Sequence, residues 1–505
     1  MVLLGGTSSI NYMHFNRGSP RDYDAWANAS GDPSWNYYNM LPFLKRIETY
    51  AGEYKSDQHS YYGPVLISRP QYAPGLDYWL EAGRQLGYRV RDPNGPQKES
   101  FTKIEFSKLL GRRGSSYTAY ITPIIASLPN LVILTNVNAT KILLKGKKAV
   151  GVKFETKLTN STVLEDVVYA KKEIIISAGT YGSPVLLMRS GIGPKDVLEA
   201  AKIPVLHELP VGNNLHNHVS MDMDFLINTS TAVIDPARDY TAENMALFNQ
   251  TGDGPFSSSG GGTGQAFVVS SVAKSEGEGD WPDIHFTMAH STESYLAGTG
   301  NGGAPAMDFT NSTEVPMAIE AFVSRPKSRG TIKLDPANPF GPPLIDPMHL
   351  SDPRDLQIAL EAAKESIRIM ETTKSYAKLG AKFNVTAPLP ACANFTMRSD
   401  DFFKCYITQL SSTGCHPVGS CKMGQATNDT TAVVDPQLRV IGIDRLRIVD
   451  ASVMPNIVNA NTQVAVYAIA ERAAQLIIQD WQSGKPSTPT VKSSYGLLDS
   501  FLKAS

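Results

Sequence analysis

Two polar residues near the C-terminus have the types and the setting for proton chemistry on an alcohol. His416 lies in Gly414-Cys415-His416-Pro417-Val418-Gly419-Ser420, and Asn461 lies in Asn459-Ala460-Asn461-Thr462-Gln463. An imidazole with an ordinary pKa of about 6.5 can take a hydroxyl proton at neutral pH. Pro417 and Gly419 fix the backbone around it; alone, the residue reads first as an ordinary loop histidine. Asn461 is a polar partner in the same stretch or simply caps the helix that follows, and spacing leaves both readings open. A third stretch, Leu3-Leu4-Gly5-Gly6-Thr7-Ser8-Ser9-Ile10-Asn11, allows close backbone approach to a ligand. Its serines and its amide can reach phosphates or ring carbonyls, although the same composition also makes plain loops.

These residues need a scaffold. Leu446-Arg447-Ile448-Val449-Asp450 is a short apolar strand, and Asp450 falls at its carboxyl end, where dinucleotide-binding sheets hold ligands. The helix expected over 463–481 would aim its free N–H groups into the same crevice and favour negative charge there. Residues 173–177 read as a buried strand and lead through a turn to a helix, with Ser183 as N-cap, Pro184 at the first position and Gly191 as the stop. That is the strand–turn–helix unit of an α/β nucleotide-binding sheet. Short β segments are expected at 131–134, 141–144 and 149–154, with a hairpin turn at Lys145-Gly146-Lys147-Lys148. Residues 257–264 read as a flexible loop. From 216 to 410, β segments at 266–269, 283–289 and 317–323 accompany a helix at 352–373, an α+β character that suggests an inserted, substrate-facing unit.

Composition sets the outer limits. A chain of 505 residues, 42% hydrophobic and 19% charged, is globular and larger than one ordinary domain. A net charge of −1 gives no reason to expect nucleic acid or an anionic membrane as partner. No apolar run approaches the roughly 18 to 20 residues of a membrane span. The four cysteines exclude a disulfide scaffold and are not spaced as a metal site; Cys392 and Cys405 could pair or remain free thiols. Asn-x-Ser/Thr sequons begin at Asn28, Asn138, Asn160, Asn228, Asn249, Asn311, Asn384, Asn394 and Asn428, which favours a secreted or lumenal protein. No signal peptide follows Met1, so the natural N-terminus is expected upstream.

Taken together, the motifs resemble the glucose–methanol–choline (GMC) flavin oxidoreductases. One family signature matches Leu4 to Asn11, then Arg17-Gly18 and Asp22-Tyr23-Asp24-Ala25-Trp26. A second runs from Gly179 through Ser183-Pro184 and Leu186-Leu187 to Ser190-Gly191-Ile192-Gly193-Pro194. The third comprises His416 to Gly419, Cys421-Lys422-Met423-Gly424, Val433-Val434-Asp435-Pro436 and Asp450-Ala451-Ser452-Val453-Met454-Pro455. Ser324-Arg325-Pro326-Lys327-Ser328-Arg329-Gly330 and the Cys392/Cys405 pair are similar to the arthropod glucose-dehydrogenase-like branch.

The resemblance implies non-covalent FAD and an alcohol substrate. His416 would be the base that accepts the hydroxyl proton as hydride passes to the flavin, with Asn461 bonding the same oxygen. Gly6, Ser8, Asn11 and Met13 would line the flavin and Ala139 would lie near the adenine. Asp450, Ala451, Thr462 and Gln463 would lie near the pyrophosphate and isoalloxazine. Ile10 stands where some members carry a flavin-linking histidine. Leu215-His216-Asn217-His218 departs from the usual aspartate before the final histidine, and a structural turn without chemical consequence is expected there. Oxygen or a quinone-type molecule would reoxidise the flavin, and no metal is expected.

The implied fold is α/β plus α+β, a Rossmann-like FAD-binding domain with an inserted antiparallel-sheet substrate domain. Residues 1–15, 80–215 and 425–485 would form the first domain, 16–79 and 216–424 the second, and 486–505 a tail. The family's opening Gly-x-Gly-x-x-Gly unit has no counterpart, so roughly 80 to 100 residues are expected to be missing before Met1. The alternatives are a hydroxynitrile lyase on the same fold, or a truncated remnant that binds no FAD.

Overall fold

Residues 219–227 alternate Val219, Met221, Met223, Phe225 and Ile227 with Ser220, Asp222 and Asp224. Only an extended strand turns that period into two chemically distinct faces. The computed structural model describes residues 3–69, 72–157, 163–259, 262–289, 314–384, 389–427 and 429–483, and its largest sheet is built on this pattern.

The chain begins with helices α1 (Pro20–Ser30), α2 (Tyr37–Ile47) and α3 (Leu76–Gln85). Ser19 and Asp22 cap α1 reciprocally, with Pro20 at its first position. Strand β1 (Ser100–Lys103) follows. Then β2 (Val137–Lys145), β3 (Lys148–Lys157) and β4 (Val163–Tyr169) form an antiparallel sheet. The β2–β3 turn is the expected hairpin, with Gly146 at φ +60°. Strand β5 (Ile174–Ile176) leads into α4 (Gly179–Arg189). The middle of the chain supplies β6 (Val219–Ile227), β7 (Gly262–Val268), β8 (Ile284–Ala289) and β9 (Val315–Val323). Helices α5 (Pro353–Thr372) and α6 (Asp400–Leu410), strand β10 (Leu446–Ile448) and helix α7 (Gln463–Gln482) complete the order.

The large sheet runs Lys382–Phe383, β6, β9, β8, β7, β1, with Ser412–Thr413 also paired to β6. One face packs on α3, α5 and α6 through Trp79, Phe225, Phe286, Met317, Ile358 and Phe402. A second core, with Trp26, Leu44, Leu187, Ile448 and Ala468, joins α1, α2, α4, β10 and α7. Within it β10 and β5 pair in parallel, Leu446 beside Ile174. Ile174 and Ile176 are buried while Ile175 is 45% exposed, so β5 is covered on one face only, although its partner Arg447 on β10 is buried. The α/β plus α+β architecture is therefore present, and the two cores partition the chain differently from the expected boundaries. Tyr23, Ile47 and Ile67 pack with Leu187 rather than with the large sheet, because α2 lies against α7. Leu80 and Phe101 pack with Phe225, because β1 is an edge strand of the large sheet.

Three local expectations are corrected. Residues 131–134 form no strand; Val132 and Leu134 are 76% and 60% exposed, without a neighbouring strand to pair. The glycine-rich stretch read as a flexible loop becomes the buried strand β7 from Gly262 onward, while 260–261 lie outside the described residues. The reason is close packing: a Cβ on Gly264 would stand 2.6 Å from Trp79 Cδ1. Helix α4 begins at Gly179, so Ser183 and Pro184 lie inside it. Ser183 Oγ instead accepts the Ala178 N–H (3.1 Å) and donates to Asp450 Oδ2 (2.5 Å). Cys392 and Cys405 form a disulfide that ties α6 to the preceding turn. Among the described residues, no helix is long and apolar enough to cross a membrane.

Candidate active site

His416 and Asn461 meet: Asn461 Nδ2 lies 3.2 Å from His416 Nε2. His416 follows Cys415, whose φ of +57° turns the loop back toward β6, and its N–H donates to Asn217 Oδ1 at 2.8 Å. Asn461 precedes α7 yet does not cap it. Thr462 occupies the cap position without a side-chain bond, and Asn461 Oδ1 accepts from Asn16 Nδ2 at 2.8 Å.

Two backbone carbonyls determine every proton position around this pair. The Val458 carbonyl, which can only accept, lies 3.2 Å from His218 Nε2, so that nitrogen carries the hydrogen. His218 Nδ1 is then an acceptor, and His416 Nδ1, 3.0 Å away, must donate to it. His416 Nε2 is left as a lone pair. On the other side the Lys103 carbonyl accepts from Gln265 Nε2 at 3.2 Å, which orients that amide. Gln265 and Asn16 pair reciprocally, at 2.9 Å in both directions, which orients Asn16. Asn16 in turn presents the Asn461 amide nitrogen to the lone pair of His416.

Burial keeps the histidines neutral. Desolvation pushes His416 down to about 4. His14 is pushed down to about 3 by desolvation, then by His416 and Lys108, against a bond to Asn461. His218 and His285 lie well below the usual range, again chiefly through desolvation and then through neighbouring imidazoles. Phe322 closes the group, its ring centroid 6.2 Å from His416 and 5.3 Å from His285.

The N-terminal motif reaches the same place from the other side. Asn11 Nδ2 bonds Gln463 Oε1, and Gln463 Nε2 donates to Ser107 Oγ at 3.1 Å. Met13, at φ +62°, accepts the Ser107 N–H at 2.9 Å and donates its own to Asn11 Oδ1, also at 2.9 Å. Arg113 Nη1 holds the turn by donating to the Ser8 carbonyl (3.2 Å) and to Asn11 Oδ1 (3.0 Å). Ser8 Oγ is turned inward, donating to the Gly5 carbonyl at 2.5 Å, while Gly6 is exposed. Asp450 is a staple: Oδ1 accepts from Ser452 N–H (2.8 Å) and Oδ2 from Gly179 N–H (2.9 Å). Ala451, Thr462 and Gln463 remain partly exposed. Ala139 is exposed on β2, and no bond joins its side chain to the histidine group.

Sequence reasoning missed Asn16, Gln265, His14, His285 and Arg113. It also treated the 215–218 turn as chemically silent, whereas His218 fixes the hydrogen on His416. A signal was available for His14 and Asn16, two residues apart in an extended segment just past the glycine motif.

The GMC oxidoreductase family model for the N-terminal region matches residues 2–220, and that for the C-terminal region matches 326–470. The chain belongs to the GMC oxidoreductase family. It is 35% identical over 490 residues to a glucose dehydrogenase [FAD, quinone] of Drosophila melanogaster, covering 95% of this chain and 74% of the relative. An oxygen-dependent choline dehydrogenase of Proteus mirabilis is 33% identical over 484 residues, 94% of this chain and 80% of the relative. Among solved structures, pyridoxine 4-oxidase from Mesorbium loti superposes with a TM-score of 0.76 at 27% identity, covering 94% of this chain and 83% of that one. A formate oxidase superposes with a TM-score of 0.82 at 22% identity, covering 95% and 84%, which speaks to the fold alone.

GMC oxidoreductases are FAD enzymes, and the turns here suit a planar group. Gly6 at φ +55° and Gly179 at φ +77° have no heavy atom within 4 Å of where a side chain would begin. Both leave open space for close backbone approach.

Proposed function

We propose that this chain oxidises an alcohol, with His416 Nε2 accepting the hydroxyl proton and Asn461 Nδ2 holding the same oxygen. The observation that carries the reading is the 3.2 Å approach of the His416 Nε2 lone pair to the Asn461 amide nitrogen, both held in fixed orientation. A hydroxyl that replaces this direct contact donates to Nε2 and accepts from Nδ2, so its oxygen is stabilised as the proton leaves. His416, pushed down to about 4, is already neutral at pH 7 and ready to accept. Bound FAD supplies the acceptor for the carbinol hydride.

The partly exposed strip through Gly6, Asn11, Met13, Ala451, Thr462 and Gln463 would border the flavin, with Ser8 and Asp450 holding the turns and Ala139 toward the adenine. Ile10, an aliphatic residue 50% exposed, offers no atom for a covalent link, so the FAD is held non-covalently. The names of the relatives point to alcohols and sugars as substrates, and to a quinone or oxygen as electron acceptor. Exposed sequon asparagines at 28, 138, 228, 249 and 394, together with the disulfide, support an oxidising, secretory setting.

The test is dye-linked turnover of the FAD-loaded protein over a panel of primary alcohols, secondary alcohols and sugars. Removing the base in His416→Ala should lower kcat about 10²- to 10⁴-fold. Asn461→Ala should lower it about 10²-fold. Cyanide release from cyanohydrins without flavin bleaching would sink this reading and favour a lyase.

A further inference from the structure

Positive charge gathers without a counterpart at one place outside the histidine group. A cleft of about 450 Å³ opens between residues 86–91, 98–99 and 274–280. That volume suits a small polar molecule. Arg89, Arg91, Lys98 and Lys274 line it together with two carboxylates, Glu99 and Asp280. Both carboxylates are already engaged. Glu99 Oε1 accepts the Val269 N–H at 3.0 Å and lies 3.4 Å from Lys274 Nζ, while Asp280 pairs with Arg21. Arg89, Arg91 and Lys98 are left over: among the described residues, nothing accepts from their side chains.

The backbone brings these cations together and holds them there. Val90 pairs with Phe101 of β1 and packs against the core of the large sheet. Alternation about Val90 sends Arg89 and Arg91 the same way, away from that core. The Arg89 carbonyl accepts the Phe101 N–H at 3.1 Å, and the Arg91 carbonyl accepts from Thr102 Oγ1 at 2.6 Å. The opposite wall is equally fixed. Arg325 lies over the Trp281 ring at 3.9 Å, and the Trp281 N–H donates to the Glu278 carbonyl at 2.9 Å. Arg91 is half-buried, and its enclosed Nε has no acceptor. Leaving such a nitrogen unpaired is unfavourable, and gathering three cations without counter-charge adds repulsion. The protein itself therefore does not neutralise this cleft.

We propose that the cleft binds a phosphate or sulfate monoester, with Arg89, Arg91 and Lys98 holding the tetrahedral oxyanion. A guanidinium fork meets such an oxyanion through two parallel bonds, and a lysine adds a point charge. A phosphate monoester carries a charge of about −1.5 to −2 at neutral pH, so it offsets three cations better than a carboxylate does. The remaining volume takes the neutral part of the ester. Among the described residues, none that lines the cleft bonds His416, Asn461, His14 or His285, so the inference stands apart from the alcohol-oxidising reading.

Calorimetric titration of the whole chain, with FAD added in excess to fill the cofactor's own phosphate-binding site, tests the proposal with three probes at one ionic strength. These are inorganic phosphate, inorganic sulfate and chloride. At least one tetrahedral oxyanion should bind about tenfold or more tighter than chloride, the factor that one charged hydrogen bond is worth. Phosphate ahead of sulfate assigns the ester as a phosphate, and the reverse order assigns it as a sulfate. The variant Arg91→Gln/Lys98→Gln should weaken the preferred oxyanion about tenfold or more. Arg89→Gln and Lys98→Gln, each at an exposed side chain, should each weaken it about three- to tenfold, so the result does not depend on the fold of the double variant. Lys333→Gln removes an exposed charge elsewhere and should change nothing. Equal binding of all three ions overturns the proposal. So does undiminished oxyanion binding in Arg89→Gln and Lys98→Gln, which would place the ion elsewhere. Equal weakening by Lys333→Gln also refutes it, because net charge alone would then explain the effect.

Discussion

Replacing His218 by leucine would separate a structural histidine from one that controls the base. In the folded protein His218 Nδ1 accepts the His416 Nδ1 hydrogen at 3.0 Å, and this leaves Nε2 as the acceptor that the proposed reading requires. Leucine leaves that hydrogen buried without an acceptor, a penalty of about 1–3 kcal/mol on the active tautomer. The other tautomer offers no escape. Its Nε2 hydrogen would face Asn461 Nδ2, donor against donor, and Asn461 can turn only by giving up its 2.8 Å bond from Asn16. The penalty therefore falls on catalysis, and kcat/KM should drop roughly 5- to 150-fold. His218→Asn keeps an acceptor oxygen on a short side chain and should lose less than about fivefold, the lower end of that penalty. Steady-state kinetics on both variants, with thermal unfolding recorded in parallel, give the comparison. A leucine variant within twofold of the parent would refute the argument, as would equal losses in leucine and asparagine at matched stability.

The acid limb of kcat/KM should lie near pH 4 rather than 6.5, because His416 acts in its neutral form and burial pushes its pKa down to about 4; activity is full above that value and falls as pH drops through it, so a limb near 6.5 would contradict the burial argument. Gly264→Ala would drive a Cβ to 2.6 Å from Trp79 Cδ1, and should destabilise the large sheet by about 1–3 kcal/mol in denaturant unfolding. Replacing both Cys392 and Cys405 by alanine opens a loop with a sequence separation of 13, and should cost about 3 kcal/mol of unfolding free energy with little change in kcat. Endoglycosidase treatment of protein from a secretory host should shift its mass, and a smaller shift in Asn228→Gln together with Asn249→Gln would locate glycans at two of the exposed sequons.

Strand alternation and helix boundaries were legible where a residue's own chemistry decides the outcome. The alternating apolar residues of β6 and the hairpin at Gly146 are of this kind, as is Asp352, whose side chain accepts from Arg354 N–H to start α5. The failures share a cause, since in each a distant residue sets the local structure. Residues 262–264 look like loop until Trp79, far away in the chain, presses an indole against Gly264. Ser183 and Pro184 look like a helix start until Asp450 claims the Ser183 hydroxyl. Ile47 and Leu80 belong to different cores because α2 leans on α7 while α3 leans on the large sheet.

The same reasoning explains why the candidate residues were legible in the sequence while their hydrogen-bonding roles were not. Residue type announces an imidazole and an amide, and the surrounding motifs mark them as a pair. Whether Nε2 of His416 is a base or a donor depends on the Val458 carbonyl, acting through His218. Whether Asn461 offers nitrogen or oxygen depends on the Lys103 carbonyl, acting through Gln265 and Asn16. Carbonyl groups occur at every residue, so no pattern of side chains reveals which of them matter. On the proposed reading, two strands of hydrogen bonds that meet between Nδ2 and Nε2 set the catalytic geometry. If both strands are required, Asn16→Leu and His218→Leu should damage turnover comparably, although Asn16 touches no histidine nitrogen of the pair. Normal turnover in Asn16→Leu would mean that Asn461 finds its orientation unaided, and that only the His218 strand governs the base.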